Sequence, residues 1–221
     1  TGKPSCLRGR VSSNVRRHDP PLFHSPGARM PTDAERFSSD FAYVTGCLDG
    51  FFSRRAVGRS LGLIAELGIT GWEKWWQIEF ATWLSEHDHI SEWVMEEVFL
   101  TDLRRQTSKN SISIDIGFRV KGCSTKEMLF LELKQNEDVG KCIENMLTDA
   151  DKVATAQKYS ETNRLMIRSF FVVGVYPTPH VGKADIRDYV LQRAEARSID
   201  VDRQHVWTKL IPDSPYSVTV F

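Results

Sequence analysis

The chain has 221 residues, 41% of them hydrophobic, and equal numbers of acidic and basic side chains, so its net charge is zero. That composition suffices for one good core, gives no vote for nucleic acid by charge alone and, with no run of eighteen apolar residues, excludes a membrane-spanning helix. Cys6, Cys47, Cys123 and Cys142 show no C-x-x-C spacing, which argues against a disulfide framework or zinc site and points to reduced thiols of a cytoplasmic protein.

Residues 1–29 carry Lys3, Arg8, Arg10, Arg16, Arg17 and Arg29 against the single acid Asp19. Rich in Pro, Ser and Gly and without periodic apolar residues, this stretch is expected to be a disordered basic tail or an extension before Met30, adding at most nonspecific phosphate attraction. It has no apolar run of the kind a secretory signal needs. Residues 30–221 read as a single domain. Thr32 or Asp33 caps a first helix through Phe52, and a second spans about 52–66, ending near Gly68.

Gly71 opens a tryptophan-rich helix over 71–87. Trp72, Trp75, Trp76, Ile78, Phe80, Trp83 and Leu84 make most of its surface apolar, as suits a helix packed across a sheet. Glu79 stands out because it is flanked by Ile78 and Phe80, while Glu73 is a first-turn acid favoured by the helix dipole. His87 and His89 fall at the helix end, and Glu96 and Glu97 of the next strand, 91–100, read as rim charges.

Two further strands carry the chemistry. In 111–120, alternation puts Ile112, Ile114, Ile116 and Phe118 on one face and Ser113, Asp115 and Gly117 on the other. In 128–135, Leu129, Leu131 and Leu133 oppose Phe130, Glu132 and Lys134. An antiparallel hairpin through 121–127 would set Asp115 beside Glu132 and Lys134. Converging carboxylates repel unless a proton or a cation intervenes, and Mg²⁺, with Mn²⁺ as substitute, accepts oxygen ligands while keeping waters. A metal with an adjacent ammonium suits phosphodiester hydrolysis. A helix over 138–159 and a strand over 166–177 follow, then a charged helix over about 183–197 and short strands near 205–211 and 216–221 that extend the sheet.

At these residues the chain resembles the PD-(D/E)XK nuclease superfamily, whose pattern is an acid on an early helix, an Asp on one strand, Glu-X-Lys on the next, then a helix and another strand. The matching residues are the helix 71–87, Asp115 and Glu132-Leu133-Lys134, over roughly residues 55–177; Ile114 stands where the family's Pro would be. The resemblance implies an α/β, restriction-endonuclease-like mixed central sheet flanked by helices. It also implies a Mg²⁺-dependent endonuclease in which Asp115 and Glu132 bind metal, Lys134 positions the nucleophilic water and Glu79 supports the metal shell, with Glu73 as the alternative acid. Gln135, Lys152 and Gln157 are weaker candidates for substrate contact. DNA is the expected substrate, and a homodimer or larger nucleic-acid-processing complex is compatible with it. An RNA-directed nuclease of the same fold and a noncatalytic nucleic-acid-binding or assembly protein are the alternatives.

Overall fold

The computed structural model of the chain describes residues 8–10, 31–100, 111–157, 166–179 and 185–221. Of the basic segment 1–29, Arg8–Arg10 is a short edge strand, β1; the rest of that expectation lies outside the described residues. Helix α1, Asp33–Phe52, starts at Thr32 because a capping box closes there. The Thr32 hydroxyl accepts the Glu35 N–H at 3.2 Å and the Glu35 carboxylate accepts the Thr32 N–H at 2.7 Å, so two otherwise orphaned donors are satisfied. Helices α2, Arg55–Glu66, and α3, Glu73–Glu86, follow, then strands β2, Ile90–Leu100, β3, Ser111–Val120, and β4, Glu127–Gln135. The chain continues through α4, Val139–Gln157, β5, Met166–Pro177, α5, Ile186–Glu195, β6, Trp207–Leu210, and β7, Tyr216–Val220.

Among the described residues seven strands form one mixed sheet in the order β1-β2-β3-β4-β5-β7-β6. All neighbours are antiparallel except β4 and β5, which run parallel because α4 carries the chain back across the sheet. Helices α1, α2 and α3 cover one face, where Leu48, Phe51, Leu61, Trp76, Phe80 and Leu84 meet Leu129, Leu131 and Leu133 of β4 and Val173 and Val175 of β5. Helices α4 and α5 cover the other, where Cys142, Met146 and Val190 meet Val172 and Tyr176. The arrangement is therefore α/β with helices on both faces. Asp40 of α1 is buried and accepts hydrogen bonds from the Arg168 guanidinium at 2.8 Å and the Ser169 hydroxyl at 2.7 Å, tying α1 to the start of β5. No helix among the described residues is long and apolar enough to cross a membrane.

Two details position the site. Gly174 of β5 lies opposite Lys134 of β4, and a Cβ there would meet Met146 Sδ at 2.4 Å and Cys142 Sγ at 2.9 Å. Its missing side chain is what lets α4 lie close against the sheet. The second detail corrects an expectation: Ile112, Ile114, Ile116 and Phe118 do not share a face. Ile116 and Phe118 pack under α1–α3, whereas Ile112 and Ile114 join Val94, Phe99, Met128, Phe130 and Val153 on the α4 side. Strand β2 changes faces in step, Met95 packing under α1–α3 and Phe99 on the α4 side, and the turnover coincides with a left-handed Glu96, φ 54°. Left-handed backbone is uncommon for a non-glycine residue, and among the described residues Glu96 is the only one of its kind within a strand. The break in alternation falls at Asp115.

Candidate active site

Strand β3 pairs with β4 as an antiparallel hairpin through Ile116 opposite Leu131, and the ladder stops there. One residue further, the Asp115 carboxylate takes the place of a backbone acceptor: its Oδ2 accepts the Leu133 N–H at 2.8 Å. Glu132 and Lys134 follow Phe130 onto the α4 face, and Lys134 Nζ donates to Glu132 Oε1 at 2.8 Å. Asp115, Glu132 and Lys134 are thus gathered at the carboxyl end of β4, as the strand pattern suggests.

Two helical acids approach the end of β4. Glu73, in the first turn of α3, accepts the Gln135 backbone N–H on Oε2 at 2.9 Å. Glu73, not Glu79, is the α3 acid that reaches the end of β4. Glu79 lies about 120° round the helix from Glu73 at roughly 100° per residue, and among the described residues no hydrogen bond or ion pair joins it to Asp115, Glu132 or Lys134. Its apolar sequence neighbours mislead, because Ile78 points to solvent at 53% exposure. The second acid is Asp149 of α4, whose Oδ2 lies 2.8 Å from Lys134 Nζ and whose Oδ1 accepts from Lys152 Nζ at 2.5 Å. The sequence reading missed Asp149. The available signal was an acid set on the apolar stripe of α4 formed by Cys142, Met146 and Val153.

Lysines rim the cluster. Lys152 is more than half exposed. Lys74 of α3 donates to Gln77 Oε1 at 2.8 Å and pairs with Glu96. Gln135 reaches the site through its backbone N–H. Gln157 ends α4, and its side chain lies outside the described residues. His87 caps the end of α3 with its ring 4.7 Å from that of Trp83, an ordinary helix-end role.

Glu132 and Asp149 pair with one largely buried ammonium while Asp115 and Glu73 lie nearby, and burial is the main influence on how Asp115, Glu132 and Glu73 titrate. Burial, then the negative charge of Asp115, pushes Glu132 up to about 7 against the opposing pull of Lys134. Asp115 is raised by burial despite the Leu133 N–H and the Lys134 and Lys74 charges. Glu73 is raised by burial although Lys134 and the Gln135 N–H hold it down. Burial works against the Lys134 ammonium, but the Glu132 charge and the hydrogen bonds to Asp149 and Glu132 outweigh it and raise its pKa.

Such a site gains from a cation. Asp115 Oδ1 and Glu132 Oε2 accept no hydrogen bond among the described residues, and a donor set made only of oxygens suits a hard ion. Among the described residues no three His, Cys, Asp or Glu side chains already surround one point. The remaining ligands would therefore be a backbone carbonyl and waters, which Mg²⁺ accepts and a structural zinc site does not.

No family model, curated protein or solved structure gives a significant match to this chain.

Proposed function

We propose that the protein is a metal-dependent nuclease of the PD-(D/E)XK type with a restriction-endonuclease-like fold, hydrolysing phosphodiester bonds, with DNA as the expected substrate. The observation that carries this reading is the joint placement of Asp115, Glu132 and Lys134 at one strand end, with a helical acid, Glu73, closing on the same backbone. The order of elements supports it: an acid-bearing helix, an Asp-bearing strand, a Glu-X-Lys strand, then a helix and a parallel strand.

In this reading Asp115 and Glu132 hold Mg²⁺ through their uncommitted oxygens. Bound there, the ion would supply charge neutralisation at the phosphate and a more acidic water. Lys134 has three N–H donors, two of them committed to Glu132 and Asp149. The third is free to orient the attacking water or to stabilise charge on a phosphoryl oxygen. Glu73 fixes the end of β4 by holding the Gln135 N–H, so that Lys134 and Glu132 project from a rigid edge. Lys74 and Lys152 at the rim attract the phosphate backbone.

The noncatalytic nucleic-acid-binding or assembly role remains the second reading, favoured by the double pairing of Lys134, which a purely structural ion cluster would also show. Incubating the protein with nucleic acid in Mg²⁺ and in EDTA separates the two. Metal-dependent scission supports the nuclease, and binding without scission supports the alternative.

A further inference from the structure

Resting on the nuclease reading, we propose that Asp149 of α4 is a positioning residue for Lys134. Asp149 is only 8% exposed and sits on the apolar side of its helix, one turn beyond Met146 and one turn before Val153. A carboxylate in such a place is unfavourable unless both oxygens are engaged. Both are: Oδ2 holds Lys134 Nζ at 2.8 Å, and Oδ1 holds Lys152 Nζ at 2.5 Å.

Lys134 is gripped from two elements, by Glu132 two residues earlier on its own strand and by Asp149 from the helix packed over it. The two grips are not equivalent. Glu132 faces the position where a divalent cation would sit, and a cation drawing on its oxygens competes with the ammonium for them. Asp149 has no such second duty. It is the anchor that keeps Lys134 aimed while Glu132 serves the cation. The close approach of α4 permitted by Gly174, opposite Lys134, makes this reach available.

The test compares wild type, Asp149→Asn and Asp149→Glu in the full chain by two measurements. The first is steady-state cleavage of DNA in Mg²⁺. The second, in EDTA and without substrate, is the rate of amine acetylation at Lys134, read by mass spectrometry against the exposed Lys121 as internal reference. Thermal melting establishes that each variant is folded. Asp149→Asn is expected to lower kcat about tenfold to a hundredfold, the usual range for losing a group that orients a reacting one, with KM within about twofold. It should also speed Lys134 acetylation several-fold relative to Lys121, and Asp149→Glu should restore part of both. Unchanged kcat, or a change confined to KM, overturns the proposal, as does equal Lys134 labelling in wild type and Asp149→Asn. Absence of cleavage by the wild type removes the nuclease reading by itself, and the labelling comparison then decides alone whether Asp149 holds Lys134.

Discussion

Asp115 accepts the backbone N–H of Leu133 at 2.8 Å just where the β3–β4 ladder ends. A side chain has replaced a strand as hydrogen-bond acceptor, so one carboxylate oxygen is locked while the other accepts no hydrogen bond among the described residues. The cost of this arrangement is electrostatic, and it sets how the metal-free protein responds to pH.

Asp115 and Glu132 titrate higher in the fold than in the unfolded chain, chiefly through burial and, for Glu132, the charge of Asp115. The folded state therefore holds protons more tightly, and the stability these groups contribute is full at acid pH and lost as pH rises from the ordinary carboxylate range to about 7. Asp115→Asn keeps an acceptor for the Leu133 N–H but removes the charge. In EDTA its stability relative to wild type should increase between pH 5 and pH 8, by on the order of 1–3 kcal/mol. Urea denaturation at both pH values measures this; a difference that shrinks with pH would contradict it.

Magnesium should raise the melting temperature of the wild type at pH 8, because an ion that binds only the folded state stabilises it by mass action, by about 2.7 kcal/mol at a hundredfold excess over Kd. Asp115→Asn and Glu132→Gln should lose most of this shift. Ca²⁺ should stabilise the wild type yet support little cleavage, its looser coordination holding water and phosphate less well in line. Melting curves with Mg²⁺, Ca²⁺ and EDTA provide the check.

Glu73 and Glu79 make opposite predictions although both lie on α3. Glu73→Gln keeps an acceptor for the Gln135 N–H but removes the charge that strengthens that hydrogen bond beside Lys134, so cleavage should slow by about tenfold or more. Glu79→Gln should change the rate less than about twofold, within the spread of an ordinary surface substitution. A larger loss from Glu79→Gln than from Glu73→Gln would reverse the assignment.

Gly174→Ala should destabilise the fold by about 1–3 kcal/mol, the range for overpacking a closed interior, since the new methyl group meets Met146 Sδ and Cys142 Sγ. The same displacement of α4 carries Asp149 away from Lys134, so activity should fall along with stability. Chemical denaturation and cleavage rates on the same preparation test both halves.

Much of this was legible in the sequence because the relevant signals are local. The cap at Thr32 and the limits of β3 and β5 follow from turn chemistry and strand alternation. What was hidden is the turnover of β2 and β3 at Glu96 and Asp115. The regular spacing of Ile112, Ile114, Ile116 and Phe118 gives no sign that the strand changes faces, since the strained backbone lies on the neighbouring strand. Glu79 drew attention through neighbours adjacent in sequence, but on a helix the relevant neighbours are three and four residues away. Asp149 required knowing that α4 lies directly over Lys134, a tertiary fact that Gly174 makes possible.

The most direct test of the central claim is cleavage of linear, circular and single-stranded DNA and of RNA by the wild type, Asp115→Asn and Lys134→Ala, with Mg²⁺, Mn²⁺ or EDTA, alongside a binding measurement. The wild type should cut at least one substrate with Mg²⁺ or Mn²⁺ and none in EDTA, and Asp115→Asn should be inactive. Lys134→Ala should cut roughly a hundredfold more slowly while affinity changes far less, because one ammonium is one phosphate contact among several. Full activity in EDTA, or wild-type rates in both variants, would contradict the account, and binding with no cleavage by any form would establish the noncatalytic role instead.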